Sequence, residues 1–182
     1  TLDDARANLF QGLKNFFKQR ENKPDPYLGM HHRLDRDTSG VVLFTKDPAW
    51  NVGVAGLFKD HRIQKKYLAF CLENPARKID VGQTWVIRDN LGVVSQQGKK
   101  KKFGAVHAGG DPAETRFRCL ARKNGLLLIE ALPITGRTHQ IRVHLSEYGL
   151  PIVGDTFYGG PSAFAGSAYR VMLHAATLTF EH

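Results

Sequence analysis

The chain has 182 residues, of which 42% are hydrophobic and 24% are charged, as in a globular protein with a sizeable core. Its 26 lysines and arginines against 17 acidic residues give a formal net charge of +9, which favours a polyanionic partner such as nucleic acid. The sequence has no apolar stretch near the ~20 residues of a membrane-spanning helix, no signal-peptide pattern and only two distant cysteines. These features exclude a disulfide framework and a membrane partner, and we expect a cytoplasmic monomer.

The first third of the sequence predicts two helices separated by a loop and a short strand. Apolar residues at helical spacing predict an amphipathic helix over residues 1–20, and the prolines within 24–26 break the chain after it. The apolar run at 41–44 predicts a short buried strand. An Asp-Pro pair at 47–48 predicts a helix cap and a helix to about residue 59.

The remaining sequence predicts mostly strands. Five strands are predicted, over residues 67–72, 83–87, 114–120, 126–132 and 175–180. The polar, glycine-rich segment 89–112, with four consecutive lysines at 99–102, predicts a loop or a mobile hairpin. One helix is predicted over 138–148, capped by Thr138 and ended by Gly149. Strands mixed with few helices, without regular alternation, indicate an α+β fold.

The first segment with candidate chemistry contains two carboxylates, Asp35 and Asp37. Such a pair fits a glycosidase, a metal site or a plain turn. The flanking Arg33 and Arg36 would keep Asp35 ionised, which suits a nucleophile or a base rather than an acid. The Thr-Ser-Gly that follows supplies hydroxyls and a turn that could fix the loop. From these residues alone, a salt-bridged turn stays the simpler interpretation.

A second segment, residues 135–144, places two arginines, two histidines and a glutamine around the predicted helix start. Because a helix N-terminus favours anions, Arg137 beside it could hold a phosphate. His139 and Arg142 share one face of the helix. Zinc is disfavoured, since His139 and His144 point in different directions and no cysteine accompanies them. A solvated polar helix start is the alternative.

The third segment is Lys65-Lys66-Tyr67 at the start of a predicted strand. A tyrosine in this position could stack on a base while the two lysines meet phosphates. A core tyrosine at a strand start is the alternative.

Together these segments resemble the motifs of the RluA-type pseudouridine synthases. The family pattern H-R-L-D-x-x-T-S-G is matched at 32–40, K-x-Y-L-A at 65–69, and T-G-R-T-H-Q-I-R-V-H at 135–144. Residues 151–159 fit P-I-x-G-D-x-x-Y-G, and 173–180 resemble the family's closing strand. Because five motifs occur in the family's order along nearly the whole chain, the resemblance is highly specific.

The resemblance implies that the protein isomerises uridine to pseudouridine within ribosomal or transfer RNA, without a metal or cofactor. It assigns the catalytic carboxylate to Asp35, the arginine paired with it to Arg142, and the tyrosine that stacks on the target base to Tyr67. Arg33 resembles the family's arginine that helps to displace the target nucleotide. The further expected RNA contacts, some of which could instead order the site, are Arg36, Lys65, Lys66, Arg137 and His139.

The resemblance also implies one catalytic domain over residues 1–182, with a long, mixed, mostly antiparallel sheet, flanking helices and a basic cleft. We expect the family's first strand, with its Asn-Lys-Pro signature, to be absent, because Asn22-Lys23-Pro24 lies in the wrong place for it, just before the Asp35 motif. We also expect any S4-type RNA-binding domain to be absent from this sequence. The lysine run at 99–102 does not match the family, and it fits an RNA contact or a solvated loop equally well. The competing functions are a non-catalytic RNA-binding module and a hydrolase that uses Asp35 and Asp37.

Overall fold

The structure, a computed structural model, describes residues 8–98, 100–168 and 170–181. These residues form two compact units. The first unit contains residues 8–33 and 42–62, and the second contains 34–41 and the described residues from 63 onwards. The Asp35 segment therefore belongs to the second unit, although both of its flanks in sequence belong to the first.

The first unit is built from two helices and a short ladder. Helices α1 (Leu9–Glu21) and α2 (Asn51–Lys59) are accompanied by the antiparallel pair β1 (Gly29–Met30) and β3 (Phe44–Thr45). A 3-10 turn, Pro48–Trp50, leads into α2. Both predicted helices are thus confirmed, although the part of the first prediction at 1–7 lies outside the described residues.

The caps of these helices follow from their sequences. Asn8 Oδ1 accepts the Gln11 N–H at 2.9 Å and starts α1. Asp47 Oδ1 accepts the Ala49 N–H at 2.8 Å, as the Asp-Pro pair predicts. The buried strand predicted over 41–44 is wrong: residues 41–43 form no strand, and Val41 is 44% exposed. The chain passes from the second unit to the first between Val41 and Val42. Residues 41–43 therefore form a connection, and the last residue of the apolar run, Phe44, begins β3.

The second unit is built around a seven-stranded sheet in the order β2-β11-β4-β8-β7-β5-β6. Its strands are β2 (Ser39–Gly40), β4 (Gln64–Leu72), β5 (Thr84–Gln97), β6 (Lys100–Ala105), β7 (Asp111–Lys123), β8 (Leu126–Pro133) and β11 (Leu173–Thr179). The β2–β11 pair is parallel and the other neighbours are antiparallel. The predicted α+β fold with a mixed, mostly antiparallel sheet is confirmed.

The segment 89–112 is mainly strand. Strand β5 continues to Gln97 and pairs with β6 as a hairpin, so the hairpin alternative is right and the loop alternative is wrong. Backbone pairing with β7 on one side and β6 on the other stabilises this polar sequence. Lys100, Lys101 and Lys102 lie in β6, whereas Lys99 is outside the described residues.

Helix α3 (Gln140–Glu147) packs against the face of the sheet that carries alternate buried residues. We call this the inner face; Ala69, Phe117 and Ile129 lie on it. The predicted helix is confirmed, and Gly149, with a φ of 83°, follows its end. Thr138 as its cap is wrong, because His139 occupies the N-cap position in a left-handed conformation, with no side-chain cap.

Three smaller features complete the second unit. A 3-10 turn, Thr156–Tyr158, follows α3, and β9 (Ala163–Phe164) pairs with β10 (Ser167–Ala168).

Both cysteines are free and buried. Across the described part of the chain, no helix combines the length and the apolar character needed to cross a lipid bilayer.

Candidate active site

The Asp35 loop is attached to strand β11. The Ser39 hydroxyl lies 2.8 Å from Nδ1 of His174. Gly40, with a φ of 129°, sits so close to Ala175 that a Cβ would overlap its backbone. The expectation that the Thr-Ser-Gly sequence fixes this loop is confirmed for Ser39 and Gly40, which hold it against the neighbouring strand. The Thr38 hydroxyl is buried with no hydrogen-bond partner among the described residues.

Arg142 of α3 places its guanidinium beside Asp35. Arg142 Nη1 lies 3.4 Å from Asp35 Oδ2, at the long end of hydrogen-bond distance. Arg142 Nε and Nη2 donate to the two carboxylate oxygens of Asp155, at 2.7 and 2.8 Å. The Tyr158 ring lies under the guanidinium, 5.0 Å from its centroid to Cζ. Arg142 is therefore held from three sides, most tightly by Asp155.

The charge of Arg142 is maintained by its acidic neighbours. Only 6% of Arg142 and 1% of Asp155 are exposed. Burial alone would lower the pKa of Arg142, but the hydrogen bonds and negative charge of Asp155, helped by Asp35, raise it overall. The site thus contains a permanent cation directed at the Asp35 carboxylate.

Tyr67 lies on the inner face of the sheet, where it pairs in register with Ala131 of β8. Burial raises the pKa of the Tyr67 hydroxyl, and the negative charge of Asp35 raises it further. The hydroxyl therefore stays protonated at neutral pH, in the electrostatic field of Asp35. The structure brings Asp35, Tyr67 and Arg142 into one site.

Lys65 and Lys66 point to opposite faces of β4, because strand side chains alternate. Lys65 Nζ donates to the carbonyl of Thr135 at 3.0 Å, and burial lowers the pKa of this lysine. Lys66 Nζ forms an ion pair with Glu130 at 3.3 Å. Only Lys65 therefore shares the inner face with Tyr67.

Gln140, at the first position of α3, anchors the loop that precedes the helix. Its Oε1 accepts from the Thr135 hydroxyl at 2.7 Å and from the Arg137 N–H at 3.0 Å. Its Nε2 donates to the Glu114 carbonyl and to Thr115 Oγ1, both at 2.9 Å. All four hydrogen bonds that a glutamine side chain can make are formed, so this loop has one well-defined position.

The other predicted RNA contacts differ in their surroundings. Arg137 Nε donates to the Pro112 carbonyl at 3.0 Å, and 38% of its side chain stays exposed. Arg36 is exposed in the Asp35 loop. His139 Nε2 lies 4.0 Å from Asp35 Oδ1. Arg33 belongs to the first unit, where it is exposed.

The sequence matches the model of a known protein family. The model of the family described as RNA pseudouridylate synthase matches residues 9–147, which is most of the chain. The chain belongs to the RNA pseudouridylate synthase family. The resemblance inferred from the five sequence motifs is therefore confirmed.

Several curated relatives of this chain are named ribosomal large subunit pseudouridine synthase C. The protein from Vibrio cholerae is 34% identical over 160 residues, covering 86% of this chain and 48% of the relative. The protein from Yersinia pestis is 36% identical, with the same coverage of both chains. The chain thus spans about half the length of the curated relatives it matches.

Two solved human structures share the fold. RNA pseudouridylate synthase domain containing 1 matches with a TM-score of 0.75 and 27% identity, over 94% of this chain and 70% of that one. RNA pseudouridylate synthase domain containing 4 matches with a TM-score of 0.75 and 25% identity, over 96% of this chain and 75% of that one.

Sequence reasoning missed three residues of this candidate site. Asp155 binds Arg142, Tyr158 contacts both Arg142 and His139, and Gln140 orders the loop. The available signal for Asp155 and Tyr158 was the Gly-Asp and Tyr-Gly of the fourth motif, and Gln140 stands in the motif at 135–144. A buried carboxylate such as that of Asp155 is usually paired with a cation, and here that cation is the guanidinium of Arg142.

Proposed function

We propose that this chain isomerises specific uridines of structured RNA to pseudouridine, with Asp35 as the catalytic carboxylate. The observation that carries the proposal is the Asp35 carboxylate, which lies 3.4 Å from the buried guanidinium of Arg142. The negative charge of Asp35 also raises the pKa of the Tyr67 hydroxyl. Family membership supports the same reaction. The names of the relatives favour ribosomal RNA as the substrate class over transfer RNA.

The chemistry required is compatible with these residues. The N-glycosidic bond between N1 and C1′ breaks, the uracil turns, and C5 bonds to C1′; the C5 proton is lost and N1 gains one, so no atom is added. An ionised Asp35 serves either as a nucleophile on the sugar or as a base for a sugar proton. The guanidinium of Arg142 stabilises the ionised carboxylate in a site with limited solvent access.

The target base must leave its stack before it reaches Asp35. Unstacking costs a few kcal/mol, and stacking on an aromatic ring recovers about 1–3 kcal/mol. We assign that ring to Tyr67, whose protonated hydroxyl adds no charge to the site. Arg33 is the residue we expect to help displace the nucleotide.

The RNA backbone is the polyanion that the +9 net charge suits. We propose a basic cleft in which Arg36, Arg137 and His139 contact RNA or order the site, with Lys65 positioning the loop through Thr135. Lys66 would have to exchange Glu130 for a phosphate. RNA affinity should then fall steeply as salt concentration rises.

We further propose that residues 1–182 act as one catalytic domain, as a monomer in the cytoplasm. Support for a single domain comes from the family match, since residues 9–147 include parts of both compact units.

Replacing Asp35 tests the proposal. Asp35→Asn keeps the shape of the side chain but removes its charge, so we expect pseudouridine formation in ribosomal RNA to fall by at least about 10³-fold. RNA affinity should change little, because the phosphate contacts remain. Asp37→Asn, in the same loop and exposed, is the matched control and should keep near-normal activity.

Three outcomes would contradict the proposal. Persisting activity in Asp35→Asn would exclude Asp35 as the catalytic carboxylate. A wild-type protein that binds RNA but makes no pseudouridine would favour the non-catalytic binding module. Free uracil released from RNA, without pseudouridine, would favour a hydrolase.

A further inference from the structure

Tyr158 is a buried side chain that joins three parts of the second unit. It lies at the end of the 3-10 turn Thr156–Tyr158 and is only 5% exposed. Its hydroxyl oxygen accepts the backbone N–H of Phe103, from the β5–β6 hairpin, at 3.2 Å. The same oxygen lies 2.8 Å from Nδ1 of His139, at the start of α3.

The positions of the hydrogens follow from what each group can donate. The Phe103 N–H can only donate, so the Tyr158 oxygen accepts there. The hydroxyl hydrogen is then available for Nδ1 of His139, which accepts it. Burial raises the pKa of Tyr158, so this hydrogen is retained. The opposite arrangement, with an Nδ1–H donor, would direct two donors at one oxygen and turn the buried hydroxyl hydrogen away from the imidazole.

An Nδ1 acceptor determines the rest of the imidazole ring. In its neutral form an imidazole carries a single proton on one nitrogen, so an Nδ1 that accepts a hydrogen bond places that proton on Nε2. Nε2 lies 4.0 Å from Oδ1 of Asp35, while Arg142 Nη1 lies 3.4 Å from Oδ2. Each oxygen of the carboxylate therefore faces a different donor. The 4.0 Å gap is longer than a direct hydrogen bond and leaves room for an oxygen atom to bridge the two groups.

The ring of Tyr158 positions the second donor. The Arg142 guanidinium carbon lies 5.0 Å from the ring centroid, and the Lys102 ammonium of β6 lies 5.8 Å from it. The edge of the His139 ring also meets the Tyr158 ring, at 5.5 Å between centroids. One residue thus touches both groups that face Asp35 and the hairpin that carries three described lysines.

We propose that Tyr158 is a positioning residue for pseudouridine formation, which holds His139 as the Nε2–H tautomer directed at Asp35 and ties the β5–β6 hairpin to the site. The inference rests on the proposed function, since positioning matters only if Asp35 is catalytic. Its hydroxyl affects the reaction through His139 and holds the hairpin through the Phe103 N–H, while its ring acts through Arg142. Tyr158 need not touch the RNA.

Removing the hydroxyl separates these two roles. Tyr158→Phe keeps the ring beneath Arg142 and deletes the hydrogen bonds to His139 and Phe103. We expect kcat at saturating RNA to fall about tenfold, which corresponds to a rise of about 1.4 kcal/mol in the activation free energy. KM should change less than about twofold. Tyr148→Phe removes a hydroxyl from a ring stacked on Trp85 at 5.4 Å and should leave kcat unchanged.

Two further measurements distinguish positioning from a purely structural role. Nitrogen-15 NMR of the imidazole should show the proton of His139 on Nε2 in the wild type, with this preference lost in Tyr158→Phe. A double variant, Tyr158→Phe with His139→Gln, should lose no more kcat than His139→Gln alone, because the hydroxyl acts through His139.

The outcomes keep the two proposals apart. A wild-type protein that makes no pseudouridine overturns the proposed function, whatever the tautomer. An active wild type with a proton on Nδ1 of His139 overturns the positioning role, as does unchanged kcat in Tyr158→Phe. Independent, additive losses in the double variant overturn the route through His139.

Discussion

Replacing Asp155 by asparagine would test how much the buried ion pair contributes to stability and to the site. Asp155→Asn keeps the side-chain shape but leaves one N–H group of Arg142 facing an amide NH₂. The two bonds lost or weakened, at 2.7 and 2.8 Å, are charge-assisted, and each is worth about 1.5–3 kcal/mol. Breaking a buried pair from one side costs about 3–5 kcal/mol in other proteins, so we expect the same range here.

This loss is large enough to measure in two ways. Urea unfolding followed by circular dichroism should show the lower free energy of unfolding directly. Since each kcal/mol shifts Tm by about 2–4 °C in a chain of 150–250 residues, Tm should fall by roughly 6–20 °C. Pseudouridine formation should fall as well, because Arg142 loses the partner that directs it at Asp35.

Two further variants control for charge and for burial. Asp111→Asn removes an exposed carboxylate 3.9 Å from Arg137, and it should cost less than about 1 kcal/mol. Replacing the pair by apolar residues, Arg142→Met with Asp155→Leu, should recover stability relative to Asp155→Asn but leave the protein inactive. A free energy of unfolding for Asp155→Asn within about 1 kcal/mol of wild type would refute this reasoning.

Three other perturbations give predictions of known direction. Burial lowers the pKa of His144 from 6.5 to about 4, and its Nε2 is buried with no hydrogen-bond partner among the described residues; the folded state therefore resists protonation. The stability that the neutral His144 gives the folded state is complete above pH 6.5 and should fall by about 2–3 kcal/mol as the pH drops to 4.5. Urea titrations should show a weaker pH dependence of the free energy of unfolding in His144→Gln, and equal pH profiles for the two proteins would contradict this reasoning. Gly40→Ala should cost about 1–3 kcal/mol and most activity, because its Cβ would overlap the Ala175 backbone; a normal Tm would contradict the close approach. Tyr67→Phe should retain more activity than Tyr67→Ala, whose lost stacking is worth about 1–3 kcal/mol; the reverse order would argue against stacking.

Local pattern was enough to predict most of the sheet and one part of the site. Side chains alternate between the two faces along β4 and β8. Lys65 and Tyr67 are two residues apart, so their position on the same face follows from the sequence. The attachment of the Asp35 loop to β11 also follows from the residue types of the Ser39-Gly40 segment. Glycine at position 40 is what allows the close approach.

Other features depend on contacts between distant segments, which local pattern does not contain. The bond between Arg142 and Asp155 requires α3 and the following turn to be packed together, and the sequence alone suggested Asp35 as the only acidic partner. The extension of β5 to Gln97 depends on pairing with β6 and β7 rather than on hydrophobic periodicity. His139 replaces Thr138 as the cap because Gln140 holds the preceding loop by its own hydrogen bonds.

The anchor of the Asp35 loop has a consequence for synthesis of the chain. Ser39 and His174 are 135 residues apart in sequence, and a ribosome makes them in that order. A nascent chain contains Asp35, Tyr67 and Arg142 before β11 has been translated, but at that stage the Asp35 loop has no strand to bind. The carboxylate that we propose as catalytic is therefore positioned only after β11 has been translated, so this site cannot assemble before the strand that anchors it exists.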